Sequence, residues 1–270
     1  MRLVACFVLA ISLTGFAQQP ATPAPGADTA DRSNANKAKA LVDQMIQALG
    51  GSAYLQVKNS TQIGRTYNLF HGQANGPGVQ FWRFTEFPDK ERIEVTKQRD
   101  IAYVYTGDQG FEITYKGTAA LDPKVQTEYL RRREHSLDWV LRKWINEPGV
   151  ALLYEGTAIA ADKPSDQVSI INSKNDSVTI YIDSSTHLPN KKSYSWRDPT
   201  DRLRNVEDEI YDAYRASQGV MTAYSLTRFY NGEMVNQRFL NTVTYNDNLS
   251  PSMFDAKTTY DPNTLPPRKK

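Results

Sequence analysis

Residues 49–67, LGGSAYLQVKNSTQIGRTY, mark a change from a helical to an extended pattern. Over residues 37–49, apolar side chains recur at spacings of three and four, which predicts one buried face of a helix. Gly50 and Gly51 suit the left-handed backbone that commonly ends a helix. From about Thr61 apolar and polar residues alternate, which is typical of a strand. The stretch therefore predicts a helix that ends beside the first strand of a sheet.

Further segments with the same alternation follow, separated by short turns rich in Gly, Asp or Pro. They include VQFWRFTEF (79–87), RIEVTKQ (92–98), IAYVYTG (101–107) and GFEITYKG (110–117). The pattern resumes at residue 151 and contains the pair Asn231-Gly232, a strong signal for a two-residue hairpin. Together these segments predict roughly ten antiparallel strands.

One long segment, residues 122–149, interrupts the strands with a helical pattern. Asp122 can cap a helix, Pro123 suits its first turn, and Pro148-Gly149 ends the pattern. We expect the sheet to curl because of its size, and the two helical segments to cover its inner face. The predicted fold class is α+β, with one domain over residues 37–256.

The first 17 residues have the composition of a secretory signal peptide. Arg2 precedes a largely apolar run over 3–16, and the small residue Ala17 suits the position before a cleavage site. The run is shorter than the about 20 residues that a membrane-spanning helix needs. We therefore expect a periplasmic or secreted protein without a transmembrane segment in the mature chain. The remaining ends are predicted as a flexible leader, 18–36, and a C-terminal tail, 257–270.

No residues have a spacing that indicates catalysis or metal binding. Cys6 is the only cysteine and lies in the signal segment, which excludes disulfides and thiolate chemistry from the mature chain. The three histidines, His71, His135 and His187, lack metal-ligand spacing. Neither a G-x-S-x-G motif nor a glycine-rich phosphate loop is present. We expect no catalytic residue, no metal and no cofactor, and a secreted hydrolase is the least favoured function.

The charges are nearly balanced, with 32 Lys and Arg against 30 Asp and Glu. Such a surface has no general attraction for nucleic acid, so we expect no nucleic-acid partner. The acidic segment VEDEIYDAY, residues 206–214, is interpreted as a solvated strand or bend. Arg131, Arg132 and Arg133 give the 122–149 segment a basic side. That side is either a solvent-exposed helix face or a contact for lipid head groups or an acidic partner.

Aromatic residues crowd both halves of the predicted sheet. Most of them are expected in the core, but a curled sheet with a helical lid can also enclose an apolar cavity.

Three segments of the chain resemble a known family. They are ALGG (48–51) with the following YLQVKNSTQIGRTY (54–67), TGDQGFEITYKG (106–117) and the closing FYNGEMVNQRFLNTVTYNDNLSPSMFDA (229–256). Their order resembles that of the LolA/LolB-like superfamily of outer-membrane lipoprotein-sorting proteins. The resemblance implies an unclosed half-barrel, a strongly curved antiparallel sheet covered on its concave face by helices. It also implies a cavity that takes up acyl chains of lipoproteins or other amphiphiles without covalent catalysis.

The apolar stripe of the 122–149 segment is expected to face this cavity, with aromatic side chains of the sheet opposite. The predicted lining residues are Leu137, Leu141 and Trp144 on the helix and Trp82, Phe84, Tyr103 and Tyr105 on the sheet. The favoured function is a non-enzymatic periplasmic carrier or sensor for a lipid, an acylated protein or another amphiphile. The alternative is an envelope protein-interaction or structural module, whose interior is filled by side chains and whose partner contacts Arg131–Arg133.

Overall fold

The computed structural model describes residues 27–260. The predicted signal peptide, residues 18–26 of the predicted leader and residues 261–270 of the predicted tail lie outside the described residues.

Four α-helices and fourteen strands form the described part of the chain. In chain order they are α1 (Ala27–Leu49), α2 (Ser52–Leu55), β1 (Asn59–Phe70), β2 (Gln73–Ala74), β3 (Val79–Glu86), β4 (Lys90–Val95), β5 (Ile101–Thr106), β6 (Gln109–Thr114), β7 (Gly117–Ala120), α3 (Pro123–Glu134), α4 (Leu137–Arg142), β8 (Ala151–Ala160), β9 (Lys163–Ile171), β10 (Ser177–Asp183), β11 (Pro189–Arg197), β12 (Arg204–Ser217), β13 (Val220–Tyr230) and β14 (Glu233–Tyr245). Short 3₁₀ turns lie at Trp144–Asn146 and Pro251–Phe254.

The first helix ends where the sequence predicts. Gly50 and Gly51 have φ angles of 126° and 58°, which side-chain-bearing residues rarely adopt. A Cβ atom at Gly50 would lie 2.4 Å from the carbonyl oxygen of Gly219, so the close approach of the helix end to the sheet also requires glycine. The helix begins at Ala27 rather than at the predicted Lys37, so the last part of the predicted leader is helical.

The strands form one antiparallel sheet, which confirms the predicted α+β class. Across the sheet their order is β7-β6-β5-β4-β3-β1-β14-β13-β12-β11-β10-β9-β8, and β2 pairs with β1 alone. Most neighbours are consecutive in the chain, as in a meander, and β1 pairs with β14 to join the N-terminal and C-terminal strands at the centre. Asn231 and Gly232 have φ angles of 50° and 83°, and they form the predicted hairpin between β13 and β14.

The sheet has more strands than the roughly ten predicted. The two shortest strands, β2 and β7, have two and four residues, too few for an alternation to be recognised.

The segment between β7 and β8 crosses the sheet. β7 is the last strand at one edge and β8 the last at the other, so residues 121–150 connect opposite edges. These residues contain α3, α4 and the following 3₁₀ turn, and we call residues 122–146 the lid. The face of the sheet toward them is called the lid face.

The main hydrophobic core lies between α1 and the β8–β10 end of the lid face. Its fully buried side chains come from both helices and strands: Ala38 and Met45 of α1, Val140 and Leu141 of α4, Val168 and Ile170 of β9, and Val178, Ile180 and Ile182 of β10. The alternation of Val178, Ile180 and Ile182 places all three on one side of the strand.

The opposite face of β4 and β5 is covered by the C-terminal segment. Phe254 is 2% exposed, and its carbonyl oxygen accepts a hydrogen bond of 2.8 Å from the Thr106 hydroxyl. Arg92 donates to the carbonyl oxygen of Met253 at 3.3 Å. These contacts bury Phe254 against the face of the sheet that is opposite the lid face.

Candidate functional site

The lid consists of two short helices whose starts are fixed by local hydrogen bonds. The Asp122 carboxylate accepts from the backbone N–H of Lys124 at 2.8 Å, and Pro123 occupies the first helical position. The Ser136 hydroxyl accepts from the backbone N–H of Trp139 at 3.2 Å and starts α4. The chain therefore changes direction near His135, between the two caps.

One side of the lid is fixed to β4 and β5. The rings of Tyr129 and Tyr105 are stacked, with centroids 3.4 Å apart and an interplanar angle of 9°. The Tyr129 hydroxyl donates to the Glu91 carboxylate at 3.1 Å. Arg133 forms an ion pair of 3.0 Å with Asp108, in the turn that follows β5.

The other side of the lid is fixed to β11. The Lys192 ammonium donates to the carbonyl oxygen of His135 at 2.9 Å, and the rings of His135 and Tyr194 are stacked with centroids 4.4 Å apart. The Arg131 guanidinium lies over the Trp196 ring, 3.8 Å from its centroid. Burial lowers the pKa of His135, and the Lys192 charge lowers it further. The hydrogen bond between the His135 ring and the Arg131 carbonyl acts in the opposite direction.

A cavity of about 490 Å³ lies between the lid and the lid face. Apolar and aromatic side chains line part of it, among them Leu49, Tyr54, Val57, Ile93, Tyr105, Tyr129, Leu137, Trp139, Val220, Leu226, Leu240 and Tyr245. Polar and charged side chains line the rest. We define the charged cluster as Arg83, Glu91, Lys192, Glu209, Arg228 and Arg238.

The ion pair between Arg83 and Glu91 occupies the β3–β4 side of the charged cluster. The guanidinium makes two hydrogen bonds to the carboxylate, at 2.7 and 2.9 Å. Because Glu91 is 4% exposed and also accepts from Tyr129, both of its oxygens are engaged. Burial raises the pKa of Tyr105 to about 12, and the nearby Glu91 charge contributes in the same direction.

A second set of contacts surrounds Glu209 on β12. Its carboxylate is 3.2 Å from the Lys192 ammonium and accepts a hydrogen bond of 2.8 Å from the Tyr211 hydroxyl. The Arg238 guanidinium is 4.0 Å away. Burial alone would raise the pKa of Glu209, but the charges of Lys192 and Arg238 outweigh it and lower that pKa to about 2.

Arg228 and Arg238 are the least compensated members of the charged cluster. Burial and the neighbouring Arg83 lower the pKa of Arg238 to about 10, and burial with the neighbouring Arg132 lowers the pKa of Arg228. The Nε atoms of both side chains are buried and have no hydrogen-bond partner within the described residues. Both groups stay protonated at neutral pH, so the cavity contains two arginines with free donor capacity.

The structure brings some of the predicted site residues to the cavity. Tyr105 and Leu137 line it. Leu141 and Trp144 lie instead in the main hydrophobic core. Trp82, Phe84 and Tyr103 are not among the lining residues. Trp82 and Phe84 flank Arg83 in the strand and so lie on the opposite face, where the Arg99 guanidinium is 5.1 and 5.9 Å from their ring centroids.

The three consecutive arginines of the lid are engaged within the chain. Arg132 and Arg133 line the cavity, and Arg131 stacks on Trp196. Arg132 also pairs with Glu128 at 3.8 Å, and Arg133 pairs with the more exposed carboxylate of Asp108.

The interpretation of residues 206–214 as solvated is wrong in one respect. The segment is part of strand β12, so the prediction of a strand is confirmed. It is not fully solvated, because Glu207 is 6% exposed and lines the cavity together with Glu209. The cationic partners of Glu209, Lys192 and Arg238, come from β11 and β14. They are distant in the sequence, so composition alone could not reveal the pairing.

Within residues 27–260, no three His, Cys, Asp or Glu side chains are grouped closely enough to bind a metal ion. Among the same residues, no helix combines the length and the apolar character needed to cross a membrane.

Three of the solved structures that resemble the chain come from different bacteria. A DUF1329 family protein from Desulfovibrio piger is 12% identical, with a TM-score of 0.57 over 82% of this chain and 97% of its own. A LolA superfamily protein from Nitrosomonas europaea is 11% identical, with a TM-score of 0.50 over 81% of this chain and 97% of its own. The chain has the LolA-like fold.

A third structure with the LolA-like fold is a domain from Vibrio parahaemolyticus described as outer membrane lipoprotein-sorting. It is 8% identical, with a TM-score of 0.54 over 81% of this chain and 97% of its own. No protein-family model matches the sequence. No curated protein matches it either. At such low identities the likeness concerns the LolA-like fold, and the site has to be argued from this chain's own residues.

Proposed function

We propose that the protein is a non-enzymatic carrier or sensor of the cell envelope that holds a lipid, a protein acyl chain or another amphiphile between the lid and the sheet. The observation that carries this proposal is the cavity of about 490 Å³, lined by apolar side chains at one part and by the charged cluster at another. Its volume lies in the range of roughly 300 to 1,000 Å³ that is typical of small-molecule sites. A lining of both kinds suits a molecule with an apolar and a polar part.

The proposal includes a sheet that curves around the lid, with the lid on the concave side. Tyr129 and Arg131 are two residues apart on α3, which separates their Cα positions along the helix axis by about 3 Å. Yet they contact Tyr105 of β5 and Trp196 of β11. Those strands are seven steps apart in the sheet order, or roughly 34 Å in a flat sheet. Side chains cannot cover that separation, which supports a half-barrel.

The periplasm or the cell exterior is the proposed location. The signal-peptide composition of residues 1–17 supports it. The LolA-like fold, which occurs in a domain described as outer membrane lipoprotein-sorting, agrees with a role in the envelope.

The alternative is an envelope interaction module with a filled interior, whose partner binds Arg131–Arg133. Nothing about the three side chains favours it over the carrier, because each makes contacts inside this chain. It stays a prediction.

The first experiment is recovery of lipid from the protein. We expect native mass spectrometry of protein purified from a bacterial envelope to show an adduct of lipid mass, and organic extraction to release the same species. The delipidated protein should then bind a fluorescent probe with a sixteen-carbon chain.

A matched pair of variants tests whether the probe occupies the cavity. Leu226→Trp fills the cavity from its wall and should weaken probe binding at least tenfold, because the added volume displaces the chain. Leu203→Trp changes a leucine that is 63% exposed and should leave binding unchanged. If the protein yields no lipid and binds no probe, the carrier proposal fails and the interaction module is favoured.

A further inference from the structure

The charges that line the cavity are not balanced. Nine lining side chains are cationic and six are carboxylates, whereas the whole chain is nearly neutral. Taking charges out of water is unfavourable unless each is compensated. An excess of positive charge on a cavity wall does not stabilise the fold, and it therefore indicates a role in binding.

The two carboxylates of the charged cluster, Glu91 and Glu209, already have partners. Glu91 receives two hydrogen bonds from Arg83 and one from Tyr129. Glu209 is closest to Lys192 and Tyr211, with Arg238 at the limit of ion-pair distance. Glu207 also lines the cavity and its charge acts on Arg228, but within residues 27–260 it forms no ion pair within 4.0 Å.

Two arginines remain without close compensation. Arg228 forms no ion pair within 4.0 Å in the part of the chain that the structure describes, and the nearest carboxylate oxygen to Arg238 is at 4.0 Å. The buried Nε atom of each has no hydrogen-bond partner there. Within residues 27–260 neither guanidinium group donates a hydrogen bond, so both keep strong donors for a ligand.

The two arginines are also close enough to act together. Arg228 lies opposite Asn236 in the pairing of β13 with β14, and Arg238 is two residues further along β14. Such diagonal neighbours have Cα atoms roughly 7–8 Å apart on one face of a sheet. Both residues line the cavity, so one anion between them can accept hydrogen bonds from both guanidinium groups.

We propose that Arg228 and Arg238 bind the anionic group of the amphiphile, a carboxylate or a phosphate. The planar guanidinium matches both groups with two parallel hydrogen bonds. The acyl chain then lies against the apolar lining formed by Val57, Val220 and Tyr245. This inference rests on the proposed function and specifies its ligand class, an anionic amphiphile rather than a neutral one.

A purely structural role does not account for the pair. An arginine kept for stability would be paired with a carboxylate in close contact, as Arg83 is with Glu91 at 2.7 Å. Replacing buried, poorly compensated charges by apolar residues is often neutral or stabilising.

The test compares three ligands with the same sixteen-carbon chain, namely palmitic acid, hexadecyl phosphate and methyl palmitate. Each displaces the fluorescent probe from the delipidated full-length protein. We expect at least one of the two anionic ligands to bind at least tenfold more tightly than the methyl ester, because one charge-assisted hydrogen-bonded pair supplies that factor. The order of the two anions distinguishes a carboxylate from a phosphate as the natural group.

Variants connect the preference to the two side chains. Arg228→Gln and Arg238→Gln should each reduce the preference for the anion about tenfold and leave binding of the methyl ester unchanged, which also shows that the variants fold. Arg238→Lys should keep part of the preference because it keeps the charge. Arg65→Gln is the control, since Arg65 is exposed and lies next to Gly64 on β1, away from the lining residues.

Equal affinity for the anions and the ester would overturn the assignment of the head group while leaving the carrier function in place. The same holds if both Gln variants keep the full preference. Failure of all three ligands to displace the probe at any concentration would count against the carrier function itself. Competition by inorganic phosphate as strong as that of hexadecyl phosphate would show an anion site without an amphiphile.

Discussion

The two ends of the lid face differ in a way that separates stability from binding. Under α1, strands β9 and β10 present fully buried aliphatic side chains, among them Ile170, Ile180 and Val178. Under the lid, strands of the same sheet present the charged cluster and a cavity of about 490 Å³. The first region is filled like an ordinary protein core. The second region gives up close packing.

A region of the sheet that is covered by a helix is therefore not always a close-packed hydrophobic core. Both regions are covered, but only the second buries a cluster of charged side chains that need hydrogen-bond partners. In the second, charged groups are kept away from bulk water and partly compensated by one another, an arrangement that stabilises little. A site that binds a ligand needs space and hydrogen-bond donors that have no partner within the protein.

The largest expected effect compares the same truncation in both regions. Ile180→Ala in the filled region should lower the free energy of unfolding by about 2–5 kcal/mol, because it leaves a cavity among fully buried neighbours. Ile93→Ala on the cavity wall removes the same atoms but enlarges a space that already exists, and should lower it by less than half as much. Urea unfolding at pH 7 measures both. Equal losses would mean that the wall is packed as tightly as the core.

The second effect is a pH dependence that belongs to the charged region. The pKa of Glu209 in the folded state, about 2, lies below its unfolded value of about 4.5, so its contribution is present above pH 4.5 and is lost as the pH falls toward 2. The contribution is about 2–3 kcal/mol after allowance for solvent in the cavity. Urea unfolding of the wild type and Glu209→Gln should show a difference at pH 7 that narrows at pH 3.

Glu233→Gln is the matched control for this pH dependence, because its side chain is 66% exposed. Its difference from the wild type should stay within about 0.5 kcal/mol at every pH. A gap for Glu209→Gln that stays constant from pH 7 to pH 3 would contradict the depressed pKa.

Local patterns were sufficient to predict the fold class and several of its joints. The change of period near Gly50, the cap at Asp122 and the Asn231-Gly232 hairpin depend on neighbours a few residues away, and the structure confirms all three. The start of α1 was missed because residues 27–36 have weak apolar periodicity. Two-residue and four-residue strands such as β2 and β7 carry too little pattern for prediction.

The site was less predictable because it depends on contacts across the sheet. An aromatic side chain on a strand indicates burial but not which face of the sheet it occupies. Trp82 and Phe84 were therefore assigned to the cavity, although they lie on the face opposite the lid face. The charged cluster unites residues from β3, β4, β11, β12, β13 and β14. Its members have no characteristic spacing in the sequence, and only the strand order brings them together.

A third, smaller effect concerns the point where the lid contacts β11. The folded state lowers the pKa of His135, chiefly by burial, so the unfolded chain takes up a proton first as the pH falls below about 6.5. The free energy of unfolding should therefore decrease from pH 7 toward pH 5.5, and His135→Gln should remove part of that decrease. His71→Gln, at a side chain 70% exposed, should leave the decrease intact. An NMR titration that places the His135 pKa above 6.5 would contradict the sign.

The smallest effect concerns the contact between α3 of the lid and β11, which fixes the lid to the sheet outside the hydrophobic core. Arg131 stacks on Trp196 at 3.8 Å, and a cation–π contact of this kind contributes about 0.5–1 kcal/mol. Arg131→Gln and Trp196→Leu, measured singly and together by urea unfolding, should show a coupling of that size. The exposed pair Lys116 and Tyr115, at 5.9 Å, is the control and should show almost none.

Hydrogen exchange shows where this small energy acts. If the contact fixes α3 to β11, Arg131→Gln should speed the exchange of amides in α3 and leave those of β10 unchanged, because local opening of the lid does not require the filled region to unfold. Faster exchange in both regions would mean that lid and core open as one unit. The lid could then not open for a ligand without loss of the core, and the contrast between the two regions would be one of composition only.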